Sequence, residues 1–306
     1  MSTTIVNHGQ LTWTNILHPT AEDIQQLAGR YPTFHPLNLQ DCLTELELPK
    51  LDHYDDYIFL VVQMPVWDEA ESITRPAEVD IFVSQGVLVT SHRGELKPLN
   101  KLYAAVQTPG SPEAQCFAGS ESGPFLYYLI DRLVDYCFPI VQHIGANLRQ
   151  MEERLFQPDT RRLLHEIAVL RRDIITVRSI LKSQINVIQA LIKGQWHFIN
   201  NDLDPYWDDI SNHLLQLCNT LDQDAEVIAG LSETIDTLAS HRIDDVIRLL
   251  TLVTVITLPL TLLATVFGMN VVMPMSEHPA LFYLILGVGV IFSIWLAWYL
   301  RRRRWM

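Results

Sequence analysis

Charge disappears toward the end of this chain. No Asp, Glu, Lys or Arg occurs in residues 249–276, and none in 279–300. A helix rises about 1.5 Å per residue and needs about 20 apolar residues to cross a bilayer core, whereas a helix buried in a soluble protein usually carries only about 10–14. Both stretches therefore read as membrane spans. Arg242 and Arg248 precede the first and Arg301 to Arg304 follow the second, while the connection 268–279 holds Glu277 and no Lys or Arg. The positive-inside rule puts both chain ends in the cytoplasm and the short connection outside, in a multi-pass protein of the plasma (inner) membrane. The C-terminal arginines act as anchors, their stems snorkelling along apolar surface.

Net charge is −13 with a pI near 5.2, which argues against a nucleic-acid partner. The N-terminus shows no cationic-then-apolar leader. Cys42, Cys116, Cys137 and Cys218 are scattered without a CxxC pair, so neither a disulfide framework nor a zinc cluster is expected.

Residues 1–120 read as a small mixed α/β cytoplasmic domain. The run YIFLVVQM (57–64) has the look of a buried strand, and 79–83 and 87–91 alternate around Gln85-Gly86 as a hairpin does. Helices are expected over 21–30 and 97–106. The turn-rich segment 108–124 marks the first boundary. Beyond it, 125–156 and 161–192 read as two long helices in an antiparallel hairpin, with Asp159 or Thr160 as N-cap of the second. A third helix starts near Asp204-Pro205 and meets no proline before Pro259. Its apolar stripe (Ile210, Leu214, Leu217, Leu221, then Ile228, Leu231, Ile235 and Leu238) continues into the membrane, giving about sixty residues and roughly 90 Å. A stripe that long is not expected to be buried against its own chain alone, which predicts self-association. The fold class is α+β, with a long-helix stalk region over 121–245 and a two-helix transmembrane domain with a basic end over 246–306.

In the first span Thr251, Thr254, Leu258, Thr261 and Thr265 follow spacings of 3, 4, 3 and 4, so one helical face carries mostly hydroxyls. Either each hydroxyl bonds its own helix's carbonyl, a structural role, or the face meets water in a pore. The span ends in Phe267-Gly268-Met269-Asn270. Here the chain resembles the CorA family of magnesium channels and their relatives, two-span Gly-Met-Asn proteins. Pro259-Leu260-Thr261 stands before the Gly-Met-Asn, and Met273-Pro274, a second span and a basic end stand after it.

The resemblance implies a funnel-shaped homopentamer in the lipid bilayer. Its first membrane helices would line an axial pore for magnesium, with cobalt or nickel as further cargo, driven by the membrane potential and with no cofactor. It implies a selectivity filter at Gly268, Met269 and Asn270, where neutral oxygens of Gly268 and Asn270 hold the hydrated ion. It also implies a pore lining of Asp244, Leu250, Thr254, Leu258, Thr261 and Thr265, with Leu250 and Leu258 as dewetting constrictions. The chain departs from the family pattern in three places. Asp244 stands where Asn is usual, Thr265 where Gly is common, and the loop's Met-Pro-Glu is Met273-Pro274-Met275, its acid displaced to Glu277 beside His278.

From Asn201 to Asp245 there are eleven carboxylates and one basic side chain, Arg242. They read either as a solvated helix face or as a cytoplasmic divalent sensor. Asp209, beside Asp208, resembles the family's stalk carboxylate, with Glu95 the nearest partner in view. Two further functions stand beside the channel: a proton-coupled zinc transporter of the same superfamily, and a two-span sensor that conducts nothing. No nucleophile–base pair, HExxH or Walker-type loop points to an enzyme.

Overall fold

The computed structural model describes residues 3–68, 73–155, 160–194, 196, 203–269 and 279–302. They divide into two units, Met1–Ser232 and Glu233–Met306.

The first unit is built on a six-stranded sheet: β1 (Thr3–His8), β2 (Leu11–Leu17), β3 (Lys50–His53), β4 (Tyr57–Asp68), β5 (Ile73–Ser84) and β6 (Val87–His92). Their order is β1-β2-β6-β5-β4-β3, antiparallel except for the β2–β6 pair. The expected hairpin is present, since β5 and β6 pair around Gln85-Gly86. Gly86 has φ +69°, and a Cβ there would stand 2.7 Å from Gln10 O, so the turn requires glycine.

Helices cover both faces of this sheet, which is why β4 reads as an unbroken apolar run. On one face Tyr57, Phe59 and Val61 join Phe82, Val89 and Ile16 under Ile24 and Leu27 of α1 (Ala21–Arg30) and Leu39 of α2 (Pro36–Asp41). Thr20 and Asp23 close a reciprocal capping box at the start of α1. On the other face stand α3 (Lys97–Gln107), α4 (Pro112–Ala118) and α5 (Ser122–Asp135). Their Tyr103, Phe117 and Phe125 ring Trp13, with centroids 4.8, 6.2 and 5.2 Å away. Trp13 Nε1 donates to Thr90 Oγ1 (3.0 Å), and Thr90 Oγ1 donates to Asn15 Oδ1 (2.7 Å), so polar core residues satisfy one another.

The helical segment expected over 125–156 is two helices, α5 and α6 (Cys137–Arg154), divided at Tyr136. Pro139 explains the break: it has no N–H to give to the carbonyl four residues back, and its ring crowds that carbonyl. The turn-rich 108–124 also contains α4, whose N-cap Ser111 accepts from Ala114 N. After them α7 (Thr160–Lys193) lies along β3, β4 and β5. Asp159 lies outside the described residues, and Thr160 opens α7.

The third helix is continuous, α8 (Asp204–Phe267), 64 residues with Pro259 inside it. Its stripe from Ile210 to Leu231 is buried within a single chain. Trp207 meets Tyr127 of α5, and Arg178 of α7 pairs with Asp222 at 2.5 Å. This part of the stripe therefore needs no second copy, contrary to the expectation: the helices before it fold back and cover it.

The second unit holds the remainder of α8 and α9 (Pro279–Arg302). Among the described residues one helix, covering Asp204–Val266, is long and apolar enough to cross a membrane; Tyr283–Leu296 is a shorter apolar helix. Two full-length spans were expected. The first charge-free stretch lies in the helix that meets this length, and the second forms residues 279–300 of the 24-residue α9, with Tyr283–Leu296 as its apolar part. Small residues let α9 approach α8: a side chain at Gly289 would meet Leu263 Cδ1, and Ser293 Oγ donates to Ile256 O (3.4 Å) and Gly289 O (3.0 Å).

Candidate functional site

At about 100° per residue, Leu250, Thr254, Leu258, Thr261, Thr265 and Gly268 of the α8 end fall within an arc of about 80°. Asp244 lies about 40° beyond that arc on the same scale. All seven are exposed, Leu250 at 63% and Leu258 at 64%. Ile256, Leu260 and Leu263, which meet α9, sit on the opposite side of the helix. The second helix of the unit thus takes one face and leaves the Leu/Thr row open.

The threonine hydroxyls all turn to the backbone. Thr251 donates to Ile247 O, Thr254 to Leu250 O and Thr261 to Thr257 O, at 2.8–2.9 Å; Thr265 donates to Leu262 O at 2.9 Å. The structural role is therefore filled, and it does not compete with the other. A hydroxyl that has given its proton to a carbonyl presents lone pairs outward, as an acceptor. Thr257 adds another such hydroxyl, bonded to Val253 O at 2.8 Å. Thr261 and Thr257 flank Pro259, whose missing N–H loosens this turn.

Past the helix, Gly268 N still donates to Ala264 O (3.0 Å), and Gly268 and Met269 are exposed. Asn270 and the outer-loop residues Glu277 and His278 lie outside the described residues.

Asp209 and Asp208 are exposed on α8, and Glu95 is not brought to them; it lines a small cavity at the sheet. What stands near Asp209 is His213, Nε2 to Oδ1 3.8 Å. Ligand atoms of His213, Asp131 and Asp135 lie within 4.8 Å of one another. Burial first, then the Asp135 charge, raises the Asp131 carboxyl above its ordinary range. His213 Nδ1 is buried without a hydrogen-bond partner, and the ring meets Phe138 edge-on. Asp131, Asp135 and His213 were missed from sequence, though a signal was there: Asp131/Asp135 and Asp209/His213 are each spaced i, i+4, one helical face.

The family profile described as "CorA-like Mg2+ transporter protein" matches residues 8–302. A Bacillus subtilis (strain 168) protein whose name assigns it to metal ion transport, YfjQ, is 30% identical over 78% of this chain and 72% of its own. The cobalt/magnesium transport protein CorA of Thermotoga maritima is 22% identical over 96% of this chain and 83% of its own. Among solved structures, that of the CorA magnesium transporter from Methanocaldococcus jannaschii superposes with a TM-score of 0.85, at 20% identity, over 97% of this chain and 92% of that one.

Proposed function

The chain belongs to the CorA-like Mg2+ transporter family, and we propose that the open row of α8 lines a path for divalent cations, magnesium first among them. The observation that carries this reading is the sidedness of the second unit: α9 covers Ile256, Leu260 and Leu263, and the Leu/Thr row opposite is bare and amphipathic. A bare row on a single helix encloses nothing, so the path requires several copies around an axis, as a homopentamer provides.

In this reading the ion travels hydrated. Magnesium sheds its water reluctantly, and a filter of neutral oxygens at Gly268 and Asn270 accepts hydrogen bonds from that shell without binding it too tightly to leave. Thr254, Thr261 and Thr265 continue the row of outward acceptors. Leu250 and Leu258 form apolar rings that close the path by dewetting. Asp244 gathers cations at the inner end. A divalent ion moving inward gains roughly 4–5 kcal/mol per 100 mV, so the path needs no nucleotide and no resident cofactor. The cluster Asp131, Asp135, Asp209 and His213 takes over the regulatory role considered for Asp208 and Asp209, a cation there tying α5 to the start of α8.

Cysteine accessibility tests the reading. In a background without Cys116, Leu258→Cys or Thr261→Cys should lose divalent uptake after treatment with a charged, water-soluble thiol reagent, and Leu263→Cys should not. Equal insensitivity at all three positions would exclude the row as the path.

A further inference from the structure

Away from the row and from the α5–α8 cluster, a cavity of about 40 Å³ lies where the loop after α2 crosses β5 and β6. It is lined by an unusual set for so small a space: Cys42, Asp80, Ser91, Glu78, His92 and Arg93. Asp80 is 4% exposed, Ser91 0% and Cys42 3%. Asp80 and Ser91 are direct cross-strand partners, so their side chains share one face of the sheet. Asp80 Oδ1 and Ser91 Oγ are both buried, and the Cys42 thiol stands within hydrogen-bonding reach of both residues but gives its proton to Asn38 O (3.4 Å). Two buried polar atoms left to share one weak sulfur partner at a cavity call for something to fill it.

The other neighbouring groups do not fill the need. His92 uses both ring nitrogens, Nε2 with Asn15 Oδ1 and Nδ1 with Gly94 N, each at 3.1 Å. Arg93 sends Nη2 out to Thr44 O (3.2 Å), and Lys50 is held by Asp41 (2.8 Å). Glu78 Oε2 is taken by Glu47 N (2.6 Å) and Gln63 Nε2 (3.4 Å). Acceptors and anionic groups therefore outnumber donors around Asp80. Its carboxyl is driven well above the ordinary carboxylate range by burial and by the Glu78 charge, and the Cys42 thiol is driven up by burial and then by Asp80.

We propose that this cavity is a binding site for one borderline-soft divalent cation of the zinc or cobalt type, held by Cys42 Sγ, Asp80 Oδ1 and Ser91 Oγ. The ligand atoms set the class. A cation that accepts direct protein ligands in a four-coordinate arrangement fits, and a cysteine sulfur favours zinc or cobalt over magnesium. A single water supplies the fourth position. Binding releases the Cys42 thiol proton, and that of Asp80 where it is held, to solvent; no redox change occurs. Thr44, Glu45 and Leu46 of the exposed loop form the outer wall and the way in. The N-terminal domain would then sense transition metals at a place separate from the path of the cargo.

The test uses the full-length chain in a Cys116→Ser background, titrated with Co²⁺ alone. The expected result is a sulfur-to-cobalt charge-transfer band saturating at one ion per chain. Zn²⁺ should displace it and excess Mg²⁺ should not. Cys42→Ser should abolish the band. Asp80→Asn should weaken binding by more than the roughly 10–100-fold that loss of an outer partner costs. Asp131→Asn, in the other cluster, should leave the band intact. Should Cys42→Ser fail to fold, zinc protection of Cys42 against alkylation, read by mass spectrometry on the unsubstituted site, gives the same answer. Absence of the band together with alkylation that ignores zinc would show that the cavity holds water only, and a band surviving in folded Cys42→Ser would also overturn the assignment.

Discussion

Acidification should unfold the N-terminal sheet through His92. The residue is 3% exposed on β6. Its Nδ1 accepts the Gly94 N–H, so the neutral ring carries its proton on Nε2 and gives it to Asn15 Oδ1. A second proton would have to enter at Nδ1, against the Gly94 N–H. Burial first, and then the nearby His18, lowers the pKa from 6.5 to about 4. The folded value lies below the unfolded one, so the unfolded chain takes up the proton first. The contribution of His92 is whole above about pH 6.5 and is lost progressively as the pH falls to about 4. That gap of about 2.5, at about 1.4 kcal/mol per pH unit, amounts to about 3 kcal/mol. The raised carboxyls Asp80, Glu78 and Asp131 act in the opposite sense, because the folded state binds their protons more tightly. A comparison with His92→Asn cancels them. Urea unfolding of both proteins in detergent, followed by tryptophan fluorescence at pH 7.5 and pH 4, should show the wild type losing about 3 kcal/mol relative to the variant. A wild-type-to-variant difference that stays constant within about 0.5 kcal/mol across this range would refute the argument that a buried neutral imidazole is held at this place.

Gly289→Leu should weaken the α8–α9 packing by about 1–3 kcal/mol, because its side chain runs into Leu263, whereas Gly287→Leu meets nothing within 4 Å in the chain and should be tolerated. Detergent melting curves of the two variants check this. Thr90→Val leaves Trp13 Nε1 without its acceptor, while Asn15 Oδ1 keeps His92 Nε2, and should cost about 1–3 kcal/mol in denaturant unfolding, with transport per folded molecule unchanged. If a cation binds between α5 and α8, Mg²⁺ should slow proteolysis of the wild type, and Asp131→Asn with His213→Ala should remove that protection.

What was legible in the sequence was whatever repeats with a period. The α8 stripe, the β4 run and the β5–β6 hairpin all declare themselves, and α1 and α3 lie where amphipathic spacing puts them. The β1–β2 hairpin was missed because β2 buries Thr12, Thr14 and Asn15 partly or wholly among its apolar residues, which breaks the alternation that marks a strand. β3 is a short edge strand, four residues of mixed polarity. The α5–α6 break rests on one proline within a helical pattern, where a kink and a continuation look alike from the spacing. The site divides in the same way. The Leu/Thr row was readable because it lies on one helix, while the bare state of that row depends on where α9 packs. Asp131, Asp135 and His213 come together only when α5 meets α8, and Asp80, Ser91 and Cys42 only across two strands and a loop. No linear spacing encodes those meetings.

Uptake into liposomes holding the purified protein tests divalent conduction through the α8 row. Magnesium, zinc, cobalt and nickel would each be offered with and without a pH gradient, beside the Asn270→Ala variant. The expected result is magnesium entry that follows membrane voltage, ignores the pH gradient and disappears in Asn270→Ala. Zinc entry driven by protons, or no flux of any ion from a folded, oligomeric preparation, would contradict it.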